Sequence, residues 1–197
     1  MALTNKLTTI ADAIRSKTGG TDLLSLDGMV NAIEGIQTGG GDSQAIIDSI
    51  IDGTVTEVTT YATKVRTSRF DGAYMMTNIN MPNVTKIETN AFQWCAALVL
   101  TSLPEGLATI GNGSFRGCTS ITEMTFPSSL TNLANNSFTS CSKLTTVTFK
   151  STPRIENGAF GSCSELTTIN VPWAEGAVSG APWGAYNATI NYNYTGA

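Results

Sequence analysis

The tetrad Phe-x-x-Cys occurs four times at near-constant spacing in the second half of this chain, as Phe92 to Cys95, Phe115 to Cys118, Phe138 to Cys141 and Phe160 to Cys163. The steps between the phenylalanines are 23, 23 and 22 residues, and every cysteine of the protein belongs to one tetrad. A fixed period of this length means that one small supersecondary unit is repeated. No single unit can bury its own apolar face, so neighbours must do it by stacking. The chain is therefore expected to form a solenoid, a fold that generates surface and leaves the chemistry of that surface open.

The repeat extends well beyond the tetrad. An aliphatic follows each Cys by three residues (Leu98, Ile121, Leu144, Leu166), and another precedes each Phe by five (Ile87, Ile110, Leu133, Ile155). Six and eight residues after Cys come Met124 and Phe126, Val147 and Phe149, Ile169 and Val171; proline follows at the ninth place as Pro104, Pro127 and Pro172. A weaker copy stands upstream, with Phe70 in the Phe place and Ala73 in the Cys place, and Thr54–Val58 reads as the edge of a partial first coil. A segment such as Leu144 to Phe149 alternates and is β-branched, so it predicts a short strand. The proline after it cannot donate to a ladder and ends the strand, and the Asn/Gly/Ser pieces turn the chain. Strands of successive coils should stack in parallel about 4.8 Å apart. The repeat core is then Phe70, Phe92, Cys95, Phe115, Cys118, Phe138, Cys141, Phe160 and Cys163.

The pattern F-x-x-C-x-x-L-x-x-I-x-Φ-P resembles the bacterial BspA-type leucine-rich repeat over residues 54–172. The resemblance implies an α+β repeat fold: a solenoid of about five coils of 22–23 residues with parallel strands, a short N-terminal helical leader and a C-terminal β cap. The stretches Ala11–Gly20 and Leu26–Gln37 resemble the leader of structural proteins encoded by phages and prophages of Gram-positive gut bacteria, and Gly180–Tyr192 resembles the end of the same proteins. What this implies is a non-enzymatic, tail-associated virion protein that presents a receptor-binding surface to a bacterial envelope. The alternative is a bacterial cell-surface adhesin that binds a host or matrix protein.

Charge and aromatic content divide the chain. Residues 1–52 carry seven acidic and three basic residues, whereas residues 53–197 carry eight of each, and every Phe, Trp and Tyr lies at or after Tyr61. Leu3, Leu7, Ile10 and Ile14, then Met29, Val30, Ile33 and Ile36, fall at helical spacing, and Ser43–Ile51 suggests one more short helix. This predicts a leader with a Gly-rich linker over residues 1–42, a solenoid with its N-terminal cap over 43–172, and an aromatic β cap over 173–197. The leader is either a mobile segment that folds in part or a module that attaches to other virion subunits and drives homo-oligomerisation, with a trimer expected. In the last segment, Tyr186, Ala188, Ile190, Tyr192 and Tyr194 alternate with polar residues, as in a half-buried strand that closes the stack. Met1–Leu7 lacks a basic start before an apolar core, which favours release by lysis over secretion. No apolar run approaches the roughly 20 residues of a membrane span, and neither part has the basic stripe that phosphate capture needs.

No catalytic, metal or cofactor site is expected. The chain has no histidine, the commonest general base and metal ligand. No Gly-rich loop has the context of a phosphate cradle. The four cysteines sit one per coil over roughly 14 Å, too far apart for one zinc ion, and parallel in-register side chains keep adjacent thiols too far apart for an unstrained disulfide. A ladder of buried free thiols is expected. Two surface features stand out instead. Where sibling coils place small or polar residues, Tyr74, Met75, Trp94, Val99 and Leu100 form a candidate apolar contact patch, covered either by the leader, by another copy of the chain or by a foreign partner. Thr77, Thr122, Thr125, Thr145, Thr148 and Thr167 form a polar ladder on the strand face. That ladder is either adhesive or an ordinary solvent-facing choice. The expected ligand is a bacterial surface protein or glycan.

Overall fold

The computed structural model describes residues 57–60 and 62–196. Eleven short strands follow one another: β1 Glu57–Thr59, β2 Lys64–Val65, β3 Asn78–Asn80, β4 Lys86–Ile87, β5 Thr109–Ile110, β6 Glu123–Phe126, β7 Asn132–Leu133, β8 Thr146–Phe149, β9 Arg154–Ile155, β10 Thr168–Asn170 and β11 Thr189–Asn191. All pairings are parallel. The chain alternates between two walls. One wall holds a two-stranded sheet β1-β3 and a four-stranded sheet β11-β10-β8-β6; the other holds a continuous five-stranded sheet β2-β4-β5-β7-β9. The core lies between them and includes every phenylalanine and cysteine named above.

Each strand is short because only its alternate residues have somewhere to go. In β6, Met124 and Phe126 are buried while Glu123 is exposed and Thr125 half-buried; β8 repeats this with Val147 and Phe149. Between strands, two left-handed residues per coil reverse the chain. One row, two residues before each Phe, is Ser68, Asn90, Gly113, Asn136 and Gly158. The other, one residue before each Cys place, is Gly72, Trp94, Gly117, Ser140 and Ser162. Positive φ favours glycine, and asparagine among residues with a side chain, which explains the Asn/Gly/Ser content of these turns.

The tetrad is the axial spine. Phe70, Phe92, Phe115 and Phe138 stack face to face with centroids 5.3, 5.1 and 4.9 Å apart and interplanar angles of 10° to 19°. Phe126 and Phe149 form a second column at 4.6 Å, extended by Trp173 at 5.6 Å. Each thiol donates to the carbonyl of the Phe in the preceding coil, from Cys95 to Phe70 O at 3.0 Å through Cys163 to Phe138 O at 3.0 Å. The four cysteines are buried and free. Burial pushes the Cys95 thiol from its ordinary 9.0 up to about 12, and it raises Cys118 and Cys141 as well. Cys163, nearer the end of the stack, is the least buried of the four thiols.

Two expectations change. The stack has about six turns instead of five, because both segments read as margins join the ladder. β1 pairs with β3 (Val58 opposite Ile79), and β11 pairs in register with β10 (Ile190 opposite Ile169). The expected cap strand thus continues the solenoid, with Ala188, Ile190 and Tyr192 half-buried against the core and Trp183 fully buried beneath. No helix occurs among the described residues; the expected helical leader and the Ser43–Ile51 helix lie outside them.

Phe138→Ala removes a ring that touches Phe115, Phe126 and Phe160. It should lower unfolding free energy by about 3–5 kcal/mol, whereas Phe70→Ala, which loses one stacking partner, should cost less. Denaturant midpoints with unchanged slope check this. The thiol ladder adds a pH dependence. A folded-state pKa above the unfolded one means that, between the two, the unfolded state binds fewer protons. The Cys95 contribution is full below pH 9.0 and is lost as pH rises toward about 12. A Cys95→Ala variant should show a shallower alkaline decline than the parent. Alkylation of the native protein near pH 8.5 should reach Cys163 first, as peptide mapping would show.

Candidate contact surface

The left-handed place before Cys carries Gly or Ser in four of these five coils and Trp94 in the one between Gly72 and Gly117. Trp94 sits there at φ 59°, a conformation that costs a bulky residue roughly 1–2 kcal/mol, and its side chain is 46% exposed. The repeat imposes this backbone conformation in every coil, and the half of the residue that is covered offsets only part of the strain. The next coil is shaped for it. Gly117 holds the same place, and a Cβ there would overlap the Trp94 ring. The Arg116 guanidinium lies 5.6 Å from the ring centroid, within cation–π range, while Trp94 N–H donates to Arg116 O at 2.7 Å. Val99 on the Trp94 coil and Tyr74 and Met75 on the coil before it are also exposed, and these two coils are joined by Ala97 N–H to Tyr74 O at 3.2 Å and Val99 N–H to Thr77 O at 2.9 Å.

Leu100 does not join them. It is buried at 9% exposure, which corrects its place in the apolar patch. The reason lies one residue further on. Thr101 occupies the inward position held by Met124, Val147 and Ile169 in later coils, and it is exposed. A threonine is a poor core filler, so the chain turns Leu100 inward instead. The cost is the strand: residues 98–103 form none, and only Ser102 keeps a bridge, to Thr125. This is where the first wall splits into two sheets. A cleft of about 360 Å³ opens at the split, lined by Ile79, Met81, Pro82, Leu100, Leu103 and Pro104 with Asn80, Ser102 and Glu105.

The polar ladder resolves into separate rows. Thr77, Thr122, Thr145 and Thr167 are exposed at the start of the strands, where the Thr145 hydroxyl donates to Thr122 O at 3.0 Å and that of Thr167 to Thr145 O at 3.5 Å. Thr125 and Thr148 belong to a different row, half-buried and further along. Sequence reading missed that this second row continues as Asn170 and Asn191, which pair in register with Thr148 and with each other. Asn191 Nδ2 donates to Asn170 Oδ1 at 2.8 Å, and Asn170 Nδ2 to Thr148 Oγ1 at 3.1 Å. The signal was present as Thr-x-Thr followed by two Thr-Ile-Asn triplets at the coil period. Among the described residues, no three metal-binding side chains converge.

With this geometry in place, the chain can be set against known proteins. The model of the BspA type leucine rich repeat region matches residues 63–176 in six copies, and the chain belongs to that family. Among solved structures, a leucine-rich repeat protein from Bacteroides ovatus ATCC 8483 aligns with 29% identity and a TM-score of 0.54, covering 61% of this chain and 32% of the other. One from Eubacterium ventriosum ATCC 27560 aligns with 22% identity and a TM-score of 0.54, over 58% and 32% of the two chains. A leucine rich cell surface protein from Faecalibacterium prausnitzii A2-165 aligns at 17% identity with a TM-score of 0.39, over 77% and 62%. The chain spans about a third of the length of the first two structures. No curated protein matches it.

Glycine accepts the left-handed place without steric cost. Trp94→Gly should therefore leave stability unchanged or raise it by up to about 1 kcal/mol. Gly117→Ala should destabilise the parent by about 1–2 kcal/mol and displace the Trp94 ring. In the Trp94→Gly background it should cost less, since nothing remains to collide with. Thermal denaturation of the four proteins closes the cycle, and purely additive values would mean that the ring does not rest on Gly117.

Proposed function

We propose that this chain is a non-enzymatic recognition protein, carried on a phage or prophage tail, that presents its solenoid to a bacterial envelope. The observation that carries the recognition role is the exposed, strained Trp94 beside Tyr74, Met75 and Val99. A large aromatic held in an unfavourable backbone conformation, over a coil that makes room for it, is explained by a contact outside the chain. The tail setting rests on the leader resemblance of residues 11–37. In this reading residues 1–42 attach the chain to other tail subunits and assemble it as a trimer, residues 43–172 form the recognition solenoid, and residues 173–197 close it.

Membership of the BspA type family supports a second setting, a bacterial cell surface, where the same patch would bind a host or matrix protein. One experiment separates the two. An antibody against the purified full chain should label the tails of induced particles, and the free chain should bind bacterial envelopes, with Trp94→Gly weakening that binding. Labelling of the producing cells' surface, with no particle carrying the epitope, would favour the adhesin. Binding to neither envelopes nor host proteins would remove the recognition role.

A further inference from the structure

Three rows of side chains run along the strand wall from Thr77, Asn78 and Asn80; Val99 and the inward Leu100 interrupt the first two at the split, and the third is half-buried at Thr125 and Thr148 and buried at Asn170. They hold hydroxyls and amides almost throughout, with Glu123 as their one ionisable side chain. Residues 53–197 as a whole carry eight acidic and eight basic residues. Such a face offers no field to a polyanion or a basic peptide. It offers instead hydroxyl and amide donors and acceptors, some of them held by neighbours: the Thr145 hydroxyl donates to Thr122 O and retains its capacity to accept. The rows meet the Trp94 and Tyr74 edge where Val99 N–H is bonded to Thr77 O at 2.9 Å.

Trp94 and Tyr74 stand exposed on the coils that begin these rows, with the Arg116 guanidinium as the one charge beside the Trp94 ring, and exposed aromatics next to a hydroxyl and amide array match one ligand chemistry. A pyranose ring has a face of C–H groups that packs on an aromatic ring, and a rim of hydroxyls that both donate and accept. We infer that the ligand is a neutral polysaccharide of the bacterial envelope. One sugar stacks on Trp94 and Tyr74, and the following sugars lie along the threonine row at Thr77 and Thr122. This inference rests on the recognition role proposed above and names its ligand class. Complementarity is electrostatic as well as steric, since a neutral, hydroxyl-rich chain is the polymer that loses no ionic solvation on this face.

The test uses the full chain and polysaccharide released from bacterial envelopes, cleared of protein by protease and separated into neutral and acidic pools. The neutral pool should retard the chain in affinity electrophoresis. Trp94→Gly, which fits the backbone, should weaken retardation about tenfold or more; Trp94→Phe should restore part of it, and Thr122→Val should weaken it severalfold. Preference for the acidic pool, or neutral-pool binding indifferent to Trp94, overturns the inference. If intact envelopes bind the chain, protease treatment abolishes that binding and neither pool is bound, the partner is a protein: the polysaccharide inference fails and the recognition role survives. If no envelope binds at all, both fail.

Discussion

Everything in this solenoid depends on successive coils lying in register, and the register is held by the backbone at the turns more than by the strands. The strands are two to four residues long, too short to specify an alignment by themselves. The two left-handed residues of each coil fix where the chain reverses, and the amides around them bond coil to coil: Phe92 N–H to Ser114 O at 2.7 Å, Phe115 N–H to Ser137 O at 2.8 Å, Phe138 N–H to Ala159 O at 2.8 Å. With the turn fixed, the phenylalanine rings have no choice but to stack, and each thiol falls within reach of the carbonyl behind it. The hydrophobic column is then a consequence of turn geometry as much as a cause of folding.

That order of dependence explains what could be read from residue types. Phe, Cys and the aliphatics declare themselves because burial tolerates few substitutes, so the repeat, its core and the parallel strands were legible. Tyr74, Met75, Trp94 and Val99 were legible as departures, since each replaces a small or polar residue at a known place. The left-handed requirement before Cys was hidden. Glycine and serine satisfy it in four coils, and nothing in those residue types marks φ. Only the structure shows that Trp94 is strained as well as exposed.

Leu100 was misread for a related reason. Its orientation is set by its neighbour, since Thr101 yields the inward place and the backbone shifts by one; a slip of one residue moves a side chain to the opposite face. Asn170 and Asn191 escaped notice because they continue a threonine row under another residue name. The coil number was short by one because both end segments lack the tetrad, yet the ladder needs only backbone and register to add them.

The split in the first wall at residues 98–103 has a mechanical meaning. A solenoid tethered at one end and holding a surface through its flank carries load from coil to coil. Across most of the stack that load is shared between two sheets. Between β3 and β6 it falls largely on the other wall, through β4 and β5, and on the turn bonds near Trp94. Pulling would concentrate shear at this seam, beside the candidate contact surface, so any ligand bridging the coils on either side would also brace the weakest joint of the stack.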